Sequence, residues 1–181
     1  MVYSNHGIMV RICYLLFAFM YYAWSLIHKK QKSYWNNLCY HGVKHEQYIA
    51  FQKQMKCLAN SNARENVNVT FDDAFENLIE NALPTLRELQ IPAIIFAVPG
   101  NLGQTPQWNI SSEHPEYYEK IMPAQQLKVI QSELVTIGSH TQTHPDLSKL
   151  PPDQVRWELT ESKKNLEQII GKHIEDLALP H

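Results

Sequence analysis

Two pairs of residues in this chain have the types and spacing needed for metal-assisted hydrolysis. Asp72 and Asp73 are adjacent carboxylates, and His140 and His144 are imidazoles four residues apart. One carboxylate and two imidazoles hold a divalent cation and leave positions open for water and substrate, which is the catalytic rather than the structural pattern of zinc binding. At this spacing both imidazoles reach one ion, at Zn–N distances of about 2.0–2.1 Å. The neighbouring carboxylate, not needed as a ligand, then serves as general base on the activated water. Each pair alone has a plainer explanation. Adjacent aspartates commonly cap a helix and complement its dipole, and loop histidines are commonly held by hydrogen bonds. The chain has nine histidines, and His41 and His45 share the four-residue spacing, so spacing alone does not decide.

Position decides. Residues 67–71, VNVTF, alternate and are β-branched, which predicts a strand running directly into Asp72. Residues 134–138, LVTIG, predict another strand that delivers His140. Between them lies the apolar run 93–98, AIIFAV, of the kind buried on both faces of a parallel sheet. A short strand is expected at 35–40 and one more at 176–180. Helices are expected at 45–60, 75–89, 123–132 and 152–170. In the last of these Val155, Leu159, Leu166, Ile169 and Ile170 face one way, and Gly171 comes after the final turn. Strands alternating with helices give βαβ units and a parallel sheet, an α/β fold. Loops after the C-terminal strand ends carry the site in such folds. Two strand ends therefore bring Asp72, Asp73, His140 and His144 to one rim. His41 also ends a strand and His45 begins a helix; a structural role is expected for both.

Composition bounds the rest. The 181 residues suit one globular domain, with 44% hydrophobic and 19% charged residues. A net charge of -2 without a basic run argues against nucleic acid as a partner. None of Cys13, Cys39 and Cys57 stands in a CxxC pair, so free thiols are expected. Residues 8–27, from Ile8 to Ile27, have the length to cross a bilayer and carry one charge, Arg11. The expected organisation is an N-terminal hydrophobic helix, signal-anchor or interfacial, with a basic linker over 1–34, and a catalytic domain over 35–181. This places the protein at a membrane, or on the extracellular or periplasmic face. The alternative is a peripheral cytoplasmic protein, because Lys29, Lys30 and Lys32 favour a cytoplasmic side for the domain beyond them.

The motifs TFDD (70–73) and SHTQTH (139–144) resemble the first two motifs of the NodB-type carbohydrate esterases, the polysaccharide deacetylases. LCYHGV (38–43), IPAIIFAVPGNLG (91–103) and LALPH (177–181) resemble the family's opening strand, its next strand and loop, and the strand of its third motif. The resemblance implies an irregular (β/α) barrel and metal-dependent removal of N- or O-acetyl groups from an acetylated oligo- or polysaccharide. It makes Asp72 the base and Asp73, His140 and His144 the metal ligands. The metal would be Zn²⁺, with Co²⁺ as the alternative. A backbone N–H near His181 would help to stabilise the tetrahedral intermediate.

Three departures stand out. Ala74 replaces the usual glycine after the aspartate pair. No arginine occurs beyond Arg156 to brace the base. The sequence stops where the third motif begins, so a partial barrel is expected, without the family's later histidine acid. His41 and His181 are the histidines left to replace it. Two other readings stand beside the deacetylase: a truncated, non-catalytic remnant that still binds metal or sugar, and a two-histidine, one-carboxylate iron oxygenase. The second is disfavoured because an oxygenase needs no adjacent base.

Overall fold

The computed structural model describes residues 36–180. The hydrophobic segment and linker expected over 1–34, together with Trp35 and His181, lie outside the described residues. Among the described residues no helix is long and apolar enough to cross a membrane.

Four strands form one parallel sheet in the order β1-β2-β3-β4: β1 Asn36–Tyr40, β2 Val67–Phe71, β3 Ala93–Ala97 and β4 Val135–Ser139. Parallel neighbours need crossover connections, and helices supply them: α1 Tyr48–Ala59, α2 Leu78–Asn81, α3 Leu83–Glu88, α4 Ala124–Ile130 and α5 Pro152–Ile170. The continuous apolar reading of β3 matches its position in the sheet interior, where Ile95 and Ala97 are fully buried. The core joins Val69, Phe71, Ile95, Val135 and Ile137 of the sheet to Leu83, Leu86, Leu127, Leu166 and Ile170 of the helices. Each such side chain contributes about 1.5–3 kcal/mol by leaving water.

The sheet is open, with four strands; the described residues do not close a barrel. The strand expected at 176–180 is reduced to a single parallel bridge between Ser139 and Leu177. Its backbone is tied to β4 by Ser139 N–H to Asp176 O, 2.8 Å, and by Ala178 N–H to Ser139 O, 3.0 Å. Leu177 and Leu179 stay exposed there.

The helix expected over 75–89 is two short helices preceded by an irregular turn. Phe75 instead forms an antiparallel bridge with Ile121, and Pro84 opens α3, where its missing N–H costs nothing. By contrast α5 spans the predicted 152–170 and is closed by Gly171 at φ 74°, a left-handed conformation that glycine adopts without penalty.

The β3 and β4 loops are laced together at Gly100. Its N–H donates to Gln142 O at 2.9 Å, and a Cβ at this position would overlap that same carbonyl. Because the obstacle is backbone, a methyl group has no flexible neighbour to displace. Gly100→Ala is expected to destabilise the protein by about 1–3 kcal/mol, measured as a lower urea midpoint with unchanged m-value.

Candidate metal centre

Asp73 reaches the site through two consecutive left-handed residues. Asp72 N–H donates to Tyr40 O at 2.8 Å and continues the sheet by one residue. The chain then turns with Asp73 at φ 65° and Ala74 at φ 56°. Such conformations cost about 1–3 kcal/mol each in a residue with a Cβ, and persist only where surrounding structure fixes them. Here the segment around Ile121 fixes them: Met122 N–H donates to Ala74 O at 2.9 Å and Glu76 N–H to Lys120 O at 2.7 Å. Ala74, the replacement for the family's glycine, thus occupies a position where glycine would be unstrained. The turn drives the Asp73 side chain inward, leaving the residue 2% exposed.

His140 leaves the end of β4 with its N–H on Ala97 O at 2.9 Å. Its Nδ1 lies 3.1 Å from Ala178 O. A carbonyl only accepts, so Nδ1 carries the proton and Nε2 keeps its lone pair. That Nε2 is 3.8 Å from Asp73 Oδ1, and His144 Nε2 is 3.5 Å from the same oxygen. The three ligand atoms all lie within 4.8 Å of one another, and all three residues are buried. Asp73 Oδ1, fully buried, has no hydrogen-bond donor. Such an oxygen is costly to bury without a partner, and a cation held by these three residues removes the cost. The donor set, two imidazole nitrogens and one carboxylate oxygen, fits a divalent first-row metal.

The loop carrying His144 is held from behind by α5. Glu158, itself 4% exposed, accepts from Gln142 N–H and Thr143 N–H at 2.8 Å each, and from Thr143 Oγ1 at 2.5 Å. Ser162 Oγ meets Ser139 Oγ at 2.6 Å, and Asn165 Nδ2 donates to Gln142 Oε1 at 3.1 Å. Thr141 at φ 66° and His144 at φ 61° complete the turn, and Thr141 Oγ1 accepts from His144 N–H at 3.1 Å. The buried stripe of α5 is therefore Glu158, Ser162, Leu166 and Ile170. Val155, Leu159 and Ile169, predicted to face the core, are only half-buried beside it.

Asp72 stands at the mouth. Its Oδ1 is buried without a partner, and the Cys39 thiol reaches its Oδ2 at 3.4 Å. Among the described residues, this carboxylate takes its hydrogen bond from a weak thiol donor rather than from an arginine. Cys39 and Cys57 are both free.

His41, for which a structural role was expected, lines the same cleft of about 350 Å³ as the four candidate residues, together with Trp108, His114 and Glu116. Its Nδ1 is 3.1 Å from Glu116 Oε2 and 3.6 Å from Asp73 Oδ2. The Glu116 hydrogen bond, against the opposing effect of burial, pushes His41 up to about 9. Burial raises Glu116, but the His41 contact outweighs it and holds that carboxyl below its usual range. His45, as expected, begins a helical turn away from the cleft. Glu116 and Trp108 come from the irregular loop after β3, where no periodicity singles out a residue. Trp108 stacks on His144, ring centres 4.2 Å apart and planes at 26°.

Burial pushes Asp73 up to about 7, with Glu116 and Asp72 adding to the rise and His41 opposing it. An unfolded aspartate titrates near 3.8, so its contribution to the stability of metal-free protein is present below that pH and lost as pH rises through about 7. Metal binding must displace the same proton. The expected result is a metal affinity that falls as pH drops below about 7, with proton release seen when calorimetry is repeated in buffers of different ionisation enthalpy. Removing the brace tests the second support. Glu158→Ala leaves two part-buried N–H groups without this acceptor and is expected to cost about 1–3 kcal/mol by denaturation. Glu158→Gln, which keeps one acceptor, is expected to fold and to bind metal about 10–100-fold more weakly.

The family model described as polysaccharide deacetylase matches residues 59–181. A curated relative, the putative polysaccharide deacetylase YxkH of Bacillus subtilis (strain 168), is 25% identical over 114 residues, covering 63% of this chain. The matched region spans 36% of that relative's length. Among solved structures, the Streptococcus pyogenes deacetylase PplD in complex with acetate superposes with a TM-score of 0.62 at 20% identity, covering 80% of this chain and 73% of that one. IcaB from Ammonifex degensii gives 0.58 at 20% identity, covering 80% and 73%. The BpsB deacetylase domain from Bordetella bronchiseptica gives 0.58 at 17% identity, covering 81% and 79%. These structural likenesses establish the fold, and the sequence match over two motif-bearing strand ends establishes the family: the chain belongs to the polysaccharide deacetylases.

Proposed function

We propose that this protein removes acetyl groups from an acetylated carbohydrate by metal-assisted hydrolysis. The observation that carries the reading is the convergence of Asp73, His140 and His144 on one buried, donorless carboxylate oxygen, with Asp72 beside it in the same cleft. Family membership supports this reading over the iron-oxygenase alternative and supports an acetylated oligo- or polysaccharide as the substrate class.

In this reading Asp73, His140 and His144 hold a divalent ion, Zn²⁺ by the donor set and Co²⁺ as the alternative. When bound, the ion would lower the pKa of a water to about 7 and polarise the acetyl carbonyl. Asp72 takes the proton from the attacking water as its oxygen bonds to the carbonyl carbon. The carbon–nitrogen or carbon–oxygen bond then breaks, and the sugar nitrogen or oxygen takes up a proton. His41 is placed to give it: the side chain is 49% exposed on the cleft wall and tethered through Nδ1 to Glu116. In this reading His41 is the proton donor that the described cleft offers. The fully buried His140 backbone anchor and the half-buried Trp108 limit water around the reacting groups. A partial irregular barrel and an N-terminal membrane attachment through residues 8–27 belong to the same proposal.

The test is acetate release from acetylated chito-oligosaccharides and from acetylated xylan by metal-loaded protein. Asp72→Asn is expected to keep metal binding and lose activity by at least about 10²-fold. His41→Gln is expected to lower turnover by about 10²–10⁴-fold with metal content intact. Full activity in Asp72→Asn would remove the base assignment, and iron in place of zinc or cobalt in the active protein would overturn the reading.

A further inference from the structure

Asp73 divides its two oxygens between two sets of donors. Oδ1 lies 3.8 Å from His140 Nε2 and 3.5 Å from His144 Nε2, the set already described. Oδ2 lies 3.6 Å from His41 Nδ1, and Glu116 Oε2 lies 3.1 Å from that same nitrogen. His41, Asp73 and Glu116 each offer one ligand atom, and the three atoms lie within 4.8 Å of one another. Donors about 2.0–2.1 Å from a tetrahedral ion stand about 3.3–3.4 Å apart. The two separations at His41 Nδ1 bracket that spacing.

The members of this second set are held from outside the cleft. Lys44, in the turn beyond His41, donates from Nζ to Pro115 O at 3.0 Å and pairs with Glu119 at 3.3 Å. Glu119 accepts from Asn77 Nδ2 at 3.0 Å, and Asn77 Oδ1 accepts from Val43 N–H at 3.1 Å. These contacts clasp the turn that carries His41 to the loop that carries Glu116, so the pair is in place before an ion arrives. The cleft is lined by three carboxylates, Asp72, Asp73 and Glu116, and among the described residues by no lysine or arginine. Once His41 is uncharged, a single dication leaves one of these carboxylates uncompensated.

We infer that His41, Asp73 and Glu116 form a second site for a divalent cation, bridged to the first by the Asp73 carboxylate, and that filling it inhibits the protein. The ion takes the place of the proton between His41 Nδ1 and Glu116 Oε2, and that proton passes to water. His41 then lacks the positive charge from which it would donate to the leaving group. The inhibition rests on the role proposed for His41; the cation site stands on the geometry. Ions in two-metal sites sit about 3.5–4 Å apart, where two dications repel even in water. The His41 side chain is also half-exposed. The second ion is therefore the weaker one.

The experiment equilibrates the full chain with increasing free Zn²⁺ and counts bound ions per chain by elemental analysis, with acetate release followed in the same samples. The expected result is one ion at low free zinc and a second at concentrations at least about tenfold higher. His41→Gln and Glu116→Gln should each stop at one ion, and retention of that first ion shows that they fold. Co²⁺ in place of Zn²⁺ gives a signature that scattered surface binding lacks: the paramagnetic resonance of the first cobalt should broaden as the second enters. Acetate release should fall by about 10²-fold as the second site fills. Saturation at one ion, a second ion that both variants still take up, or undiminished acetate release at two ions overturns the inference. Two-step uptake that is lost in both variants, without acetate release at any zinc concentration, keeps the cation site and sinks the proposed activity.

Discussion

Everything in this site depends on one unfavourable placement: a carboxylate buried with too few donors. Asp73 is pulled out of water by a turn whose backbone is itself strained, and one of its oxygens receives no hydrogen bond. Neither feature stabilises the fold on its own. A cation bound there would supply the interaction that the protein withholds. The two imidazoles are then aimed by their surroundings rather than by their spacing. His140 is set by the Ala178 carbonyl, and His144 by a loop tied to Glu158 and Thr141.

Glu158 shows how a helix can carry site chemistry that its sequence pattern hides. The apolar residues of α5 suggested a face of Val155, Leu159, Leu166, Ile169 and Ile170. The buried stripe keeps Leu166 and Ile170 and continues at four-residue steps through Ser162 and Glu158. Its C-terminal half packs on the core, while its N-terminal half offers polar groups to the loop bearing the second histidine. A stripe apolar at one end and polar at the other reads as an imperfect hydrophobic face until the loop it supports is known.

The strand ends were legible because parallel sheets demand continuous β-branched or apolar runs, and because such runs end where side chains become available for chemistry. Asp72, Asp73, His140 and His144 could all be named on that basis. The hidden residues were those positioned by irregular backbone. Trp108 and Glu116 lie in a loop without periodicity, and His41 is brought to the cleft by a turn that Asn77 and Asn81 hold through the Val43 backbone. The split of the predicted helix over 75–89 has a related cause. The left-handed turn at Asp73 and Ala74 redirects the chain before any helix can begin, and Pro84 starts a new one.

Sheet order equals chain order here, β1-β2-β3-β4, and this has a consequence for how the molecule is made. Each strand can dock on the edge of the strand synthesised just before it, so the sheet grows in the direction of translation without waiting for distant partners. The cleft does not mature on the same schedule. Asp73 is laid down early, the histidine loop later, and the Glu158 brace and the Ala178 carbonyl that aim the imidazoles last of all. A nascent chain halted after the histidine loop would hold its acidic residues and both histidines without the Glu158 and Ala178 contacts that orient them.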